Sequence, residues 1–242
     1  MSCRIYLNQS IQIDSSIILP DALAHYLRQV MRQTIGDELL LFNGKGGEFH
    51  ATIDEMSKQA VSCHINAFND IDREMTCRVH IVQAACRNEK IEHVLQKGTE
   101  LGAASFHITR SQRASLKLDS HKLAKRMERW QKIIIEAAEQ SYRTAIPTLT
   151  WHDKLSDIPS LGSALAMHPH TTNSWQKFHH NIQLSSDITL AIGPEGGWSE
   201  LDISSLSNAG FQTIAFGPRI LRTETAAPAL LAAIQAIRND EL

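Results

Sequence analysis

From Thr76 onward the chain alternates short apolar runs with helix-length segments, and that alternation limits what it can fold into more than any other feature. The apolar runs are Val79–Ala85, Ser105–Thr109, Ser163–Met167, Ile188–Ile192 and Thr213–Phe216. The segments of helical character are Glu89–Leu101, His121–Ser141, Ser199–Ala209 and one that starts near Thr225 and runs to the end. Within His121–Ser141 the apolar positions Leu123, Met127, Trp130, Ile134 and Ala137 step by four, three, four and three, the stripe of an amphipathic helix. Such alternation predicts an α/β fold with a mostly parallel sheet and helices on both faces.

The first 70 residues follow a different grammar. Arg4–Leu7, Glu38–Phe42, Glu48–Ile53 and Ala60–Ala67 read as short strands, with one helix opening at Pro20-Asp21 and running through Arg32. Gly36-Asp37 and Asn43-Gly44-Lys45-Gly46-Gly47 are tight turns rich in residues that tolerate positive φ. Short strands joined this way predict a small β-barrel. Asn69-Asp70-Ile71-Asp72 is polar and reads as a linker, which divides the 242 residues into domains at 1–70 and 74–242.

Composition excludes several classes. No apolar run reaches the roughly 18 residues a membrane helix needs, and Met1–Tyr6 has no apolar signal region. Cys3, Cys63, Cys77 and Cys86 form no CxxC pair and read as reduced thiols of a cytoplasmic protein. Residues 1–72 carry 5 basic and 9 acidic side chains, residues 73–160 carry 15 and 10, and residues 161–242 carry 4 and 7. The positive middle can track phosphates, but Lys/Arg-rich helices are more often just solvated faces.

In open α/β sheets, ligands sit beyond the carboxyl ends of the strands. Met167-His168-Pro169, Gly193–Trp198 and Gly217–Glu224 all fall there. The first glycine-rich stretch, Gly193-Pro194-Glu195-Gly196-Gly197-Trp198, lets backbone approach a ligand closely, and Ser199-Glu200-Leu201-Asp202 after it reads as a capping box. Alone it is equally a plain strand-to-helix loop, and it is neither a GK[ST] phosphate loop nor a GxGxxG turn. Gly217–Thr225 gathers Arg219, Arg222, Glu224 and two threonines before an alanine-rich helix; alone it is equally a capped helix with surface arginines. Pro228, read as tolerable only in a first turn, sets the helix start near Thr225. His168 and the pair His179-His180 lack HxxxH or CxxC spacing, so no metal is expected, and the chain has no GxSxG nucleophile elbow.

Together these residues resemble the ribosomal RNA small subunit methyltransferase E family, 16S rRNA (uracil-N3)-methyltransferases of the SPOUT superfamily. The resemblance spans nearly the whole chain. It rests on His25–Arg32 with Gly36-Asp37, Phe42–Glu48, Gln96-Lys97-Gly98-Thr99-Glu100-Leu101-Gly102 against a Q-K-x-T-E-L-G signature, Arg129–Lys132, Glu136–Ser141 and the two C-terminal loops. The departures are Trp198 where phenylalanine is common, Gly98 where alanine is common, and Pro228 in a stretch usually written with alanine and leucine. The resemblance implies a PUA-like barrel followed by a SPOUT domain with a C-terminal trefoil knot, a homodimer, and S-adenosylmethionine as cofactor. It implies Met167, His168, Ile192, Gly193, Gly197, Phe216, Leu221, Arg222 and Thr223 around that cofactor, with 16S rRNA of the small ribosomal subunit as the partner. Arg222 and Arg219 become candidates to stabilise charge on the uracil oxygens, and Glu224 to orient an arginine or accept a proton. Arg28, Arg32, Lys45, Arg110, Arg113 and Lys117 are the candidate phosphate contacts. Two competing readings stand beside this one: ribose 2′-hydroxyl methylation, and a non-catalytic RNA-binding assembly factor.

Overall fold

The structure is a computed structural model that describes residues 3–57, 60–114 and 120–238. The chain divides into two compact units: Met1–Glu74 with Ala138–Ile146, and Met75–Ala137 with Pro147–Leu242.

The first unit holds strands β1 (Cys3–Tyr6), β2 (Ser16–Ile18), β3 (Glu38–Phe42), β4 (Glu48–Met56) and β5 (Val61–Asn69), and helix α1 (Asp21–Gln29). They form one mixed sheet in the order β1-β3-β4-β5-β2, with β1 parallel to β3 and the other pairs antiparallel. Ile5, Leu7, Leu27, Leu39, Leu41, Ile53, Val61 and Ile65 fill its core. α1 ends at Gln29 rather than Arg32, and Arg32 stands at φ 54°, outside the helical region. β2 was not expected from the sequence; it is three residues long, largely exposed, and lies at the sheet edge.

Residues 138–146 belong to this unit through polar contacts that span the chain. Arg4 is 8% exposed and donates to the carbonyls of Ala138 and Arg143. Its guanidinium also lies 3.8 Å over the Phe42 ring and 3.7 Å from Glu48. Glu48 takes a two-pronged contact from Arg73, and Glu74 accepts from Arg143 and from the backbone N–H groups of Thr144 and Ala145. Buried charges persist only when paired and hydrogen-bonded in this way.

The second unit holds a six-stranded, wholly parallel sheet in the order β11-β9-β10-β6-β7-β8. Its strands are β6 (Arg78–Ala84), β7 (Ser105–Thr109), β8 (Thr148–His152), β9 (Ser163–Met167), β10 (Asp187–Ile192) and β11 (Gln212–Ile214). The helices are α2 (Asn88–Glu100), α3 (Ser120–Gln140), α4 (His179–Leu184), α5 (Glu200–Asn208) and α6 (Thr223–Arg238). α3 leaves this unit for the first at Ala138. Its stripe deepens along the helix: Leu123 and Met127 are half-buried, while Trp130, Ile134 and Ala137 are buried. β8 and α4 are additions to the sequence reading.

Gly98, where the resembling family commonly has alanine, is explained by packing. A Cβ there would lie 2.7 Å from the fully buried Phe106 ring and 3.8 Å from Leu231 of α6. α2 then stops where Gly102 takes φ +89°.

The start of α6 corrects the sequence reading. The helix begins at Thr223, two residues earlier than expected, because the Arg222 carbonyl accepts the first-turn bonds from Thr225 and Ala226 at 2.9 and 3.0 Å. Pro228 therefore lies in the second turn and forfeits a bond to Glu224. Burial of Ala226, Ala227, Leu230, Leu231 and Ile234 offsets that loss.

A hydrogen-bonded row of polar groups crosses the same sheet. Asp187 meets His80 at 3.0 Å, His80 meets Ser105 at 2.7 Å, Ser105 meets His107 at 2.9 Å, and His107 meets His152 at 3.0 Å. Burial, then His152 and His80, pushes the His107 imidazole down to about 4, against an ordinary 6.5. Between pH 6.5 and 4 the unfolded chain binds a proton that the folded chain excludes. This contribution to stability is complete above pH 6.5 and is lost as pH falls toward 4. The expected result is a urea midpoint that drops between pH 7.5 and 4.5, and drops less in His107→Gln.

Candidate cofactor pocket

β9, β10 and β11 lie side by side with Ala166 level with Ala191 and Ile214 level with Met167, so the loops that leave their carboxyl ends meet. Between them is a cavity of about 430 Å³. Met167, His168, Ile192, Gly193, Gly197, Phe216, Leu221, Arg222 and Thr223, the expected cofactor residues, all line it, as does Arg219. Glu224 is outside the lining.

Local sequence explains the shape. Gly197 takes φ +68°, a conformation that disfavours side chains, and a Cβ on Gly193 would touch the Trp198 ring at 3.4 Å. Ser199 caps α5 by accepting from the Asp202 N–H at 3.0 Å, and Asp202 accepts from the Ser199 N–H at 3.0 Å, the reciprocal box the sequence spelled. The Thr223 hydroxyl donates to the Gly193 carbonyl at 2.6 Å and accepts from Gln83 at 2.9 Å. That pair of bonds joins the loop after β10, the start of α6 and the end of β6. The Phe216 ring packs edge-on against Trp175, 5.3 Å between centroids.

The electrostatics are asymmetric. Arg219 and Arg222 are exposed at the mouth. Lys90, on the first turn of α2, also lines the cavity and stands 3.2 Å from Glu224 and 3.7 Å from Glu195. Burial alone would raise the Glu224 carboxyl; its own backbone N–H and the Lys90 ammonium outweigh that and hold it below the usual carboxylate range. Glu224 is thus an ionised partner of Lys90, and so a weak proton acceptor. Burial, then His170, pushes the His168 imidazole down, which leaves it neutral at pH 7. All four cysteines are buried and none is in a disulfide; burial pushes Cys86 up to about 12, so it stays protonated and unreactive.

Sequence reasoning missed Lys90, Gln83 and the role of Trp198. Lys90 follows the carboxyl end of β6, so the strand-end rule that found the other loops applies to it as well. Gln83 is a lone amide in an apolar strand and is fully buried. Trp198 is 5% exposed and lines the cavity, with its Nε1 buried and unpartnered among the described residues.

The candidate phosphate contacts are placed as follows. In the first unit Arg28 donates to the Ser57 carbonyl, while Arg32 and Lys45 are exposed. In the second, Arg110 pairs with Asp153 at 3.1 Å. Arg113 donates to the carbonyls of Gly196 and Trp198 at 3.0 and 3.3 Å, which makes it a brace of the cavity loop. Lys117 lies outside the described residues. Among the described residues no group of three or more His, Cys, Asp or Glu is arranged to hold a metal, and no helix is long and apolar enough to cross a membrane.

Known proteins share this architecture. A family model for an RNA methyltransferase domain matches residues 73–235, and one for an RNA methyltransferase PUA domain matches residues 19–79. The ribosomal RNA small subunit methyltransferase E of Bacillus subtilis is 32% identical over 90% of this chain and 90% of its own length. The crystal structure of such an enzyme from Neisseria gonorrhoeae, bound to S-adenosyl methionine, superposes with a TM-score of 0.89 at 31% identity over 98% of both chains. A Legionella pneumophila protein solved with the bound cofactor SAM gives 0.91 at 35% identity, also over 98% of both chains. The strand-end cavity, the two matched models and these full-length relatives agree: the chain belongs to the ribosomal RNA small subunit methyltransferase E family.

Proposed function

We propose that this chain transfers a methyl group from S-adenosylmethionine to N3 of a specific uridine in 16S rRNA of the small ribosomal subunit. One observation carries the reading: three strand-end loops close around a single cavity in a chain 31% identical, over 98% of its length, to an enzyme crystallised with S-adenosyl methionine. The cavity suits that ligand. The buried Trp198 N–H has no acceptor among the described residues, and the adenine, ribose and carboxylate of the cofactor all offer one. Met167, His168, Ile192, Gly193, Gly197, Phe216, Leu221, Arg222 and Thr223 hold it, largely through backbone groups. When bound, the cofactor supplies a methyl on a positively charged sulfur.

The acceptor N3 is a weakly acidic imide that gives up its proton, to Glu224 or to water, and reacts as its anion, whose charge spreads onto the two uracil oxygens. Arg222 and Arg219 at the mouth favour that anion. Glu224 and Lys90, as an ion pair beside the loop, fix the local field, and Glu224 orients an arginine or accepts the N3 proton. The target base has to leave its stack to reach the cavity.

Residues 1–70 act as a PUA-like RNA-binding barrel and 74–242 as a SPOUT methyltransferase domain whose C-terminal elements form a trefoil knot. Arg28, Arg32, Lys45, Arg110, Arg113 and Lys117 contact phosphates, and Arg113 also serves the loop. The protein works in the cytoplasm as a homodimer; the exposed apolar side chains of Leu201, Ile220, Ala232 and Ala236 support a second copy. The test is incubation with cofactor and either assembled small subunits or free RNA, followed by nucleoside mass spectrometry. Methylated N3 of one uridine is expected. Methylation of a ribose would replace the proposal with 2′-hydroxyl transfer, and failure to bind cofactor in a calorimeter would replace it with a non-catalytic RNA-binding role.

A further inference from the structure

Gln83 lies on β6, behind the cofactor cavity, and touches none of its space. It is fully buried. Its amide nitrogen donates to the Ala84 carbonyl and to the Thr223 hydroxyl oxygen, each at 2.9 Å, with the Cys86 sulfur a third and longer contact at 3.9 Å. Its amide oxygen has no partner among the described residues. The Ala84 carbonyl fixes which way the amide faces, because an exchanged amide would set oxygen against oxygen.

Consequences follow for Thr223. A hydroxyl has one proton. With a donor from Gln83 on its oxygen, the Thr223 proton is directed to the Gly193 carbonyl, 2.6 Å away. Gly193 and Thr223 both line the cavity, one on the loop after β10 and the other at the start of α6, and are 30 residues apart in sequence. This bond ties the two segments together, and Gln83 orients it.

We infer that Gln83 is a positioning residue for cofactor binding, acting through the Thr223 hydroxyl to hold the Gly193 loop against the start of α6. The inference rests on the proposed S-adenosylmethionine reading of the cavity. A buried acceptor without a partner costs stability, and the donor bonds from the same amide offset that cost while they set the cavity.

Gln83→Met tests this, since it conserves volume and removes both the two donors and the unpartnered oxygen, changes of opposite sign for stability. The expected result is a melting temperature close to that of the parent and a calorimetric Kd for S-adenosylmethionine about tenfold weaker, the scale of one lost hydrogen bond. The KM for cofactor rises and the KM for RNA does not. Thr223→Val weakens the cofactor similarly, and the Gln83→Met/Thr223→Val pair is no weaker than Thr223→Val alone, because the amide acts through the hydroxyl. If Gln83→Met does not fold, Gln83→Leu, which removes the same donors and leaves no buried polar atom, carries the same expectations. A parental Kd in a folded Gln83 variant, or losses that add in the double variant, overturns the inference and leaves the cofactor reading intact. Absence of binding by the parent protein overturns both.

Discussion

Replacing Arg222 with alanine lowers single-turnover methyl transfer to RNA by about two to three orders of magnitude, the usual scale for removing one preorganised group that faces developing charge. Stability stays within about 0.5 kcal/mol, as expected for an exposed side chain. The Arg222 side chain is exposed at the cavity mouth, whereas its contribution to the fold is the backbone carbonyl that starts α6, and alanine keeps that carbonyl. The two readouts therefore separate. Arg222→Lys recovers little, because an ammonium lacks the planar fork that can serve two positions on one ring. Near-normal turnover in Arg222→Ala removes this residue from the mechanism.

Trp198→Ala carries the largest expected cost to the fold. Trp198 is 5% exposed and packs with Val82, Ala84, Leu155, Ala191, Leu206 and Phe211 on one face of the sheet. Truncating a buried tryptophan costs about 3–5 kcal/mol, which for a unit of this size lowers the melting temperature by roughly 10 °C. The same ring is a wall of the cavity and rests against Gly193, so cofactor affinity falls with it. Trp198→Phe separates shape from hydrogen bonding. It keeps an aromatic ring in the core at a smaller cost than alanine and removes the indole N–H. Equal melting temperatures for Trp198→Ala and the parent would contradict the placement of this side chain in the core.

Much of the second unit was legible because its signals are local. Apolar runs such as Ile188–Ile192 are buried on both faces of a parallel sheet and need no alternation. Glycines and arginines beyond the strand ends then converged, since neighbouring parallel strands deliver their loops to one edge. The capping box at Ser199–Asp202 was legible for the same reason: four consecutive residues contain the whole device. β8 was missed because Thr148–His152 is an edge strand, partly exposed and with Thr148, Thr150 and His152 in it, so no apolar run announces it. α6 was started late because a proline rule was applied without the tertiary packing that overrides it.

Other features were out of reach in principle. Arg4, Glu48, Arg73, Glu74 and Arg143 are scattered over 140 residues, and nothing local says that residues 138–146 join the first unit. Gln83 is a single amide in an apolar strand; only its contact with Thr223, 140 positions away, gives it meaning. Arg113 is a candidate phosphate contact by its charge, and its hydrogen bonds to the Gly196 and Trp198 carbonyls, which no local signal announces, also make it a brace of the loop.

The most direct test of the central claim is nucleoside mass spectrometry of 16S rRNA after incubation of small ribosomal subunits with this protein and S-adenosylmethionine carrying a labelled methyl group. The account predicts one labelled 3-methyluridine per rRNA, present with the parent protein and lost with Arg222→Ala. Label on a ribose hydroxyl, or no label in RNA from a protein that binds the cofactor, would contradict it.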